Sequence, residues 1–285
     1  MPVPAILRDM QRRFRQVDVF SSEACRGNPV AVVVDGDGLT TESMQRFAAW
    51  TNLSETTFLL PATEPGADYR VRILTPVAEL PFAGHPTLGS CHAWLSTGHT
   101  PADEGTVAQQ CAAGIVPIRR GGDGLAFAAP PLLRSGPVDP VLLERIAGAL
   151  GIERSDVVDA EWVDNGPGWV AVLLGSAEAV LELRPGFIDA DVGVVGPNPP
   201  EADAAFEVRA FFPVNGVMVE DPVTGSLNAG LAQWLVGTGR AATPYVARQG
   251  TALRRAGRVH VTGDPANGFW VGGTTTTIVS GTVDL

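Results

Sequence analysis

The sequence contains no lysine: all 20 residues in the lysine-plus-arginine count are arginines. The absence of lysine excludes Schiff-base chemistry on a lysine, and with it ordinary pyridoxal-phosphate catalysis and lysine-dependent aldolases. It also excludes the phosphate-binding lysine of a Walker A loop. The 285 residues are enough to bury a full hydrophobic core in one large or two medium domains.

Cysteine and histidine are scarce as well. The three cysteines, Cys25, Cys91 and Cys111, are odd in number and form no CxxC pair, which favours a reducing compartment and excludes a zinc finger. His85, His92 and His99 are spaced by seven residues. On a helix this spacing separates successive side chains by roughly 10 Å along the axis, too far to share one metal ion. We therefore expect no metal site.

Long apolar runs and excess positive charge are also missing. No segment is long and apolar enough to span a bilayer, so we expect a soluble globular protein without a membrane partner. The first residues, MPVPAILRDMQRR, lack a long apolar segment and a small-residue cleavage site, which favours the cytoplasm. The net charge of −11 disfavours nucleic acid as a partner, because phosphate contacts need a basic surface.

Short β-branched segments between glycines and prolines predict many strands, among them VAVVV, TTFLL and YRVRIL. Helices are predicted at only four places: TESMQRFAAW, the segment after His85, PVLLERIAGAL, and the segment after Asp221. The two kinds of element do not alternate regularly. This mixture predicts an α+β protein that is rich in antiparallel sheet.

The sequence also repeats itself. VRILTPV (71–77) is echoed by VRAFFPV (208–214), and each copy leads through a loop into a helix that ends in Trp-Leu and Thr-Gly. Two copies at this distance predict a duplicated domain, with chance similarity as the alternative. The two loops would then face one cleft about a pseudo-twofold axis. The matched loop residues are His85–Pro86 with Asp221–Pro222, and Gly89–Ser90 with Gly225–Ser226.

Both loops lead into helix N-termini, where free backbone N–H groups and the helix dipole favour an anion such as a small carboxylate. The hydroxyl side chains near these termini are open to a second interpretation as simple N-caps, and so is Asp221. The hydroxyl residues are Thr87, Ser90, Thr224 and Ser226.

A further carboxylate, Glu55, lies in NLSETTFLL (52–60) between a polar turn and an apolar strand. Facing inward, in a dry pocket, it would be suited to pass protons near neutral pH. The alternative is a solvated glutamate at the start of a strand. Spacing along the chain does not place Glu55 beside either loop.

Four segments together carry a family resemblance: GNPVAVVV (27–34), NLSETTFLL (52–60), TPVAELPFAGHPTLGS (75–90) and EDPVTGS (220–226). They resemble the phenazine-biosynthesis isomerase, or PhzF-like, family. The later segments NGPGWVAV and ARQG are also similar, so the resemblance extends from about Phe14 to the C-terminus.

The resemblance implies the fold of diaminopimelate epimerase, to which this family is related. That fold has two pseudo-symmetric domains, each a curled, mostly antiparallel sheet around a central helix. We expect residues 1–122, completed by 274–285, to form the first domain and residues 123–273 to form the second. Gly84 and Asp221 stand where the epimerase has its two cysteines, so two-cysteine racemisation is not expected.

The resemblance also implies a reaction: isomerisation of a small carboxylate by proton transfer, without a cofactor, similar to that of trans-2,3-dihydro-3-hydroxyanthranilate isomerase. Glu55 would carry the proton, and His85 and Asp221 would hold and polarise the substrate. A homodimer that binds a small anionic metabolite is expected. The alternative is a non-catalytic member that binds a metabolite or a protein. The residues expected to line the site and bind substrate are Gly84, Ser226, Gly225, Thr224 and Asn28.

One segment departs from the pattern of the phenazine enzyme. In EDPVTGSLNAG, Leu227 and Asn228 stand in place of smaller residues. This departure bears on which substrate is bound, and it leaves the expected fold unchanged.

Overall fold

The computed structural model describes residues 11–285. Their contacts divide the chain into two compact units, one running to Phe127 and completed by Thr274–Leu285, the other formed by Ala128–Gly273. The sequence placed the first boundary slightly earlier, after residue 122. Most of the segment MPVPAILRDMQRR, whose composition argued against a signal peptide, lies outside the described residues.

The first unit contains two helices, α1 (Thr41–Thr51) and α2 (Gly84–Ser96). Its strands are β1 (Gln11–Val19), β2 (Asn28–Val33), β3 (Thr56–Leu60), β4 (Tyr69–Leu74), β5 (Glu79–Leu80), β6 (Thr106–Cys111), β7 (Gly114–Gly121), β8 (Gly124–Ala128) and β18 (Thr275–Asp284). They pair in the order β18-β1-β2-β3-β4-β6-β7-β8, with β5 also on β4. The pairings are antiparallel except β2–β3 and β4–β6, which are parallel.

Helix α2 is the centre of this unit. It packs against β1, β2, β3, β6 and β18, which are distributed across the sheet. Every residue from Gly84 to Cys91 is buried. A helix that is buried on all sides needs apolar or hydrogen-bonded residues all round, and this explains why its sequence shows no polar face. The sheet therefore curls around α2.

The second unit contains α3 (Pro140–Leu150), α4 (Ala177–Glu182) and α5 (Gly225–Gly237). Its strands are β9 (Arg134–Pro137), β10 (Val157–Asp164), β11 (Val170–Leu174), β12 (Val192–Pro197), β13 (Phe206–Val214), β14 (Val217–Asp221), β15 (Tyr245–Gln249), β16 (Gly257–Asp264) and β17 (Gly268–Gly273). They pair in the order β9-β10-β11-β12-β13-β15-β16-β17, with β14 also on β13. Only β11–β12 and β13–β15 are parallel.

Each unit thus repeats the same succession of strands, with its parallel pairs at the same two places. Helix α5, the counterpart of α2, is likewise buried and packs against β10, β16 and β17. The predicted α+β fold, with a mostly antiparallel sheet around a central helix, is confirmed.

Two glycines show how closely the central helices approach their sheets. Gly89 and Gly230 are each the sixth residue of their helix. A Cβ atom would lie 2.3 Å from Val30 Cγ1 at Gly89 and 2.5 Å from the Val163 carbonyl oxygen at Gly230. Any side chain there would push helix and sheet apart, so both positions require glycine.

The structure corrects the alignment of the two loops. In the hairpin β4–β5, Ile73 pairs with Leu80, and in β13–β14, Ala210 pairs with Asp221. The central helix begins four residues after Leu80 in one unit and four residues after Asp221 in the other. Asp221 therefore corresponds to Leu80.

His85 consequently corresponds to Ser226, because each is the second residue of its central helix. The sequence alignment that paired His85 with Asp221 was wrong. That alignment matched the dipeptide His85–Pro86 to the dipeptide Asp221–Pro222. The strand pairing shows that the second hairpin is longer than the first, so the two dipeptides do not correspond.

Most predicted elements are confirmed. The segments YRVRIL and TTFLL form β4 and β3, TESMQRFAAW forms α1, and PVLLERIAGAL forms α3. The sequence missed α4, whose six residues are too few to show a helical pattern. Among residues 11–285, no helix is both long enough and apolar enough to cross a membrane.

Candidate functional site

His85, Glu55 and Asn28 meet in the first unit. The His85 Nε2 atom lies 3.3 Å from Glu55 Oε2, and His85 Nδ1 lies 3.3 Å from Asn28 Nδ2. The His85 side chain is 5% exposed and that of Glu55 is 14% exposed, while Asn28 is fully buried. The alternative of a solvated Glu55 is therefore wrong.

The strand order explains why these three residues come together. Asn28 begins β2, and Glu55 immediately precedes β3. Because β2 and β3 are parallel neighbours, their amino-terminal ends lie at the same edge of the sheet. Helix α2 packs on both strands and carries His85 in its first turn.

His85 is a neutral imidazole in the folded protein. Burial lowers the pKa of His85 from 6.5 to about 3, and a main-chain hydrogen bond with Pro29 offsets only part of this change. At neutral pH the contact with Glu55 is therefore a contact with an uncharged ring. Such a ring has one N–H donor and one acceptor nitrogen.

The hydroxyl residues of α2 are held inside the first unit. Gln109 Nε2 donates to Thr87 Oγ1 at 2.9 Å, and Ser90 Oγ donates to Thr57 Oγ1 at 2.8 Å. The N-cap position of α2 is Ala83, which has no side-chain capping bond. The interpretation of Thr87 and Ser90 as N-caps is therefore wrong.

In the second unit, Asp221 closes β14 and is buried. Its Oδ2 atom accepts a hydrogen bond of 2.6 Å from Thr224 Oγ1. Gln249 Nε2 donates both to Thr224 Oγ1, at 2.9 Å, and to the Asp221 carbonyl, at 3.2 Å. Since Thr224, not Asp221, occupies the N-cap position of α5, the interpretation of Asp221 as a helix cap is also wrong.

Ser226 is held by a loop that sequence reasoning did not connect to it. Trp169 Nε1 donates to Ser226 Oγ at 3.1 Å, and Asn165 Nδ2 donates to the Ser226 carbonyl at 2.8 Å. Asp164 Oδ1 accepts from the backbone N–H groups of Gly166 and Gly168, which fixes this loop. An indole N–H can only donate, so the Ser226 hydroxyl accepts here and keeps its own proton for another partner. In the sequence, the only indication of this contact was the similarity of the NGPGWVAV segment to the family.

Gly84 and Gly225 are the first residues of α2 and α5. The backbone N–H groups in the first turn of a helix have no acceptor within the helix and can bind an anion.

Leu227 and Asn228, the two residues that depart from the phenazine enzyme, point into the second unit. Gly193 lies against the Leu227 side chain, and Asn228 Nδ2 donates to Gln249 Oε1 at 2.9 Å.

The cysteines are poorly suited to proton transfer. Cys91 lies within α2, and burial raises the pKa of its thiol to about 12. Burial also raises the pKa of Cys111 at the end of β6. Cys25 is exposed and lies before β2. No group of three or more His, Cys, Asp or Glu side chains in the described part of the chain is arranged to hold a metal ion.

Comparison with known proteins identifies the family. A sequence model of the family described as phenazine biosynthesis-like protein (PhzC-PhzF) matches residues 17–281. The chain belongs to this family. Antisense-enhancing sequence 1 of Schizosaccharomyces pombe is 36% identical to this PhzF-family chain, covering 95% of the chain and 98% of the relative.

Two further relatives bear names of enzymes. The trans-2,3-dihydro-3-hydroxyanthranilate isomerase of Pseudomonas aeruginosa is 38% identical over 229 residues, 77% of this chain and 78% of that enzyme. The structure of a predicted epimerase from Pseudomonas aeruginosa superposes with a TM-score of 0.77 at 28% identity, covering 96% of this chain and 99% of the other. The present chain is accordingly an isomerase of the PhzF family.

Proposed function

We propose that this PhzF-family isomerase moves a proton on a small carboxylate substrate without a cofactor, and that Glu55 carries the proton. The observation that carries the proposal is the contact of a nearly buried Glu55 carboxyl with a neutral His85. A neutral partner lies beside the carboxylate without holding it in a full ion pair. The carboxylate thus keeps the basicity that proton abstraction needs.

The proposed reaction needs no oxidant or reductant. The Glu55 carboxylate removes a proton from one carbon of the substrate, and the electron pair of the broken C–H bond enters the conjugated system. The protonated Glu55 then returns the proton to another carbon, so that substrate and product are isomers. A pocket that excludes water favours this sequence, because the proton stays on the carboxyl between the two steps.

Substrate binding is proposed for the other predicted residues. Asp221 would hold a polar group of the substrate, since its carboxylate is fixed by Thr224. In the second unit, the hydroxyl of Ser226 and the backbone at Gly225 would bind an anionic group, because helix N-termini favour anions. The backbone at Gly84 in the first unit would do so for the same reason. By the name of the Pseudomonas relative, trans-2,3-dihydro-3-hydroxyanthranilate is the first substrate to test.

The test is deuterium incorporation. The protein is incubated in D2O with this compound and with a panel of small amino and hydroxy acids, and substrate and product are analysed by mass spectrometry. We expect uptake from at least one acid and a loss of about 10²-fold or more in Glu55→Gln. Glu42→Gln is the matched control, because Glu42 is exposed in α1.

Each result decides between the proposed roles. Uptake that is undiminished in Glu55→Gln would remove Glu55 from the reaction. An absence of uptake from every acid that binds would favour the second function, a metabolite-binding protein without catalysis. Two expectations from sequence stay proposals: the homodimer, tested by the molar mass in solution, and the cytoplasmic location, tested by fractionation.

A further inference from the structure

We propose that Gln249 is a positioning residue that directs the hydroxyl proton of Thr224 at Asp221, so that the Asp221 carboxylate is held as a hydrogen-bond acceptor for the substrate. Gln249 ends β15 and belongs to the segment ARQG, to which the proposed proton transfer gives no role. The part of Asp221 in substrate binding rests on the proposed function. The direction of the hydrogen bonds does not.

The contacts of the Gln249 side chain allow one orientation of its amide. Its Oε1 atom accepts from the Thr224 main-chain N–H at 3.0 Å and from Asn228 Nδ2 at 2.9 Å. Its Nε2 atom donates to Thr224 Oγ1 at 2.9 Å and to the Asp221 carbonyl oxygen at 3.2 Å. A reversed amide would place its NH2 group against a main-chain N–H and its oxygen against a main-chain carbonyl. Because Gln249 is fully buried, water cannot relieve these repulsions.

The orientation of this amide decides the direction of the next hydrogen bond. A hydroxyl group has a single proton to donate. Since Thr224 Oγ1 is the acceptor of Gln249, its own proton is directed at Asp221 Oδ2, which lies 2.6 Å away. A hydrogen bond donated to a carboxylate favours the ionised form. Gln249 therefore acts on Asp221 through Thr224.

The ionised form decides which group of the substrate Asp221 can hold. An ionised carboxylate only accepts hydrogen bonds, so the group that it holds must carry an N–H or O–H bond. The substrate is accordingly a small acid that also bears an amino or hydroxyl group.

The first unit shows that the fold does not require this network. Once the two hairpins are aligned, the pairing of β6 with β4 and of β15 with β13 matches Cys111 with Gln249. The N-cap residues of the two central helices match Ala83 with Thr224. Where the first unit has Leu80 in place of the carboxylate, it therefore also lacks the hydroxyl and the amide at the matching positions. This links both groups to the carboxylate and not to the architecture.

The backbone that carries Gln249 is firmly placed. Gln249 pairs with Gly257 of β16, and Gly250 follows it with a φ of +90°, a conformation that favours glycine. A Cβ at Gly250 would lie 2.6 Å from the Pro222 carbonyl oxygen. The turn after Gln249 thus lies directly against the residue that follows Asp221. A side chain that orients another group needs such a fixed support.

Neutron diffraction from crystals of the deuterated protein locates the protons of this network directly. We expect the amide deuterons of Gln249 to face Thr224 Oγ1 and the Asp221 carbonyl, and the Thr224 hydroxyl deuteron to face Asp221 Oδ2. A Thr224 deuteron directed away from Asp221, or a reversed Gln249 amide, would overturn the proposal without any variant.

The titration of Asp221 tests the effect in solution. The 13C signal of its carboxyl carbon is followed against pH and is identified by its absence from Asp221→Asn. Thr224→Val removes the hydroxyl, and Gln249→Met removes the amide at nearly equal size. Each should raise the pKa of Asp221, because the charged form loses support. In the double variant, Gln249→Met should add nothing to the effect of Thr224→Val, whereas Thr224→Ser should behave like wild type.

Two substitutions further along α5 are the matched controls. Thr238→Val and Gln233→Met remove side chains that donate to the main-chain carbonyls of Trp234 and Pro130, and they should leave the pKa of Asp221 unchanged. An unchanged pKa of Asp221 in folded Gln249→Met would overturn the proposal. An equal increase caused by Gln249→Met with and without the Thr224 hydroxyl would do so too.

Kinetics separate this role from that of Glu55. With an active substrate, Gln249→Met should raise KM by about tenfold with a much smaller change in kcat, because Asp221 holds the substrate and does not carry the proton. An unchanged KM would contradict the part of Asp221 in binding. If the deuterons are placed as stated but no acid exchanges deuterium, the assignment of Gln249 stands and the proposed function fails.

Discussion

Arg72 and Arg209 occupy corresponding positions in the two units and form the same ion pair. Arg72 donates through Nε and Nη2 to the two carboxylate oxygens of Glu79, at 2.7 and 2.6 Å. Arg209 donates in the same way to Glu220, at 3.0 and 2.7 Å. The partners are 7 residues apart in the first unit and 11 in the second. The additional residues therefore lie within the second hairpin.

The two pairs differ in burial, and this predicts unequal effects on stability. The side chains of Arg209 and Glu220 are 5% and 12% exposed, whereas those of Arg72 and Glu79 are 23% and 38% exposed. Arg209→Met leaves Glu220 buried without its partner, so we expect the free energy of unfolding to fall by about 3–5 kcal/mol. Arg72→Met should lower it by about 0–1 kcal/mol. Urea unfolding of both variants measures the difference, and equal losses would contradict the prediction.

The close contacts of Gly89 and Gly230 with their sheets predict overpacking by alanine. Gly89→Ala and Gly230→Ala should each lower the free energy of unfolding by about 1–3 kcal/mol. Gly148→Ala in α3 is the matched control, since a Cβ there meets nothing within 4 Å and alanine favours a helix by about 1 kcal/mol. Thermal or urea unfolding should therefore show opposite signs. A stabilising Gly89→Ala would contradict the packing described for α2.

His85 makes stability depend on pH. Its pKa falls from 6.5 to about 3 on folding, so below pH 6.5 the unfolded chain takes up a proton that the folded chain does not. The contribution of His85 to the free energy of unfolding is fully present above pH 6.5. It is lost as the pH falls towards 3, by up to about 1.4 kcal/mol per pH unit. Between pH 7 and pH 5, wild type should lose about 2 kcal/mol more than His85→Gln.

Urea unfolding at both pH values measures this difference. His99→Gln, which changes an exposed histidine of the same unit, should behave like wild type. An identical pH dependence in wild type and His85→Gln would show that His85 is not held neutral by burial.

Asp191 has the opposite effect. Partial burial, with Asp164 and Asp189 nearby, raises the pKa of Asp191 from 3.8 to about 6. The folded state therefore holds this proton more tightly, and stability falls as the pH rises from 3.8 through 6. Asp191→Asn should raise the free energy of unfolding at pH 7 by about 1–2 kcal/mol, allowing for solvent screening. At pH 4 the gain should disappear. An equal gain in the free energy of unfolding at pH 4 and pH 7 would show that the charge of Asp191 does not cause it.

The sequence predicted the elements of the fold better than their long-range contacts. Strands such as β3 and β4, and helices such as α1 and α3, have local patterns that end at clear turn residues. The contact of Glu55 with His85 depends on β2 and β3 being parallel neighbours, which local patterns do not specify. The contact of Trp169 with Ser226 joins residues 57 positions apart, and only the folded unit reveals it.

The correspondence of Leu80 with Asp221, and of His85 with Ser226, shows where the two halves of this chain differ. The two units share one scaffold, and each carries its candidate chemical group at a different place. The first copy has an imidazole where the second has a hydroxyl, and the second has a carboxylate where the first has an aliphatic side chain. Residues that are alike in both units, such as the paired arginines and the helix glycines, support the architecture. The candidate functional residues are therefore found at positions where the two units differ.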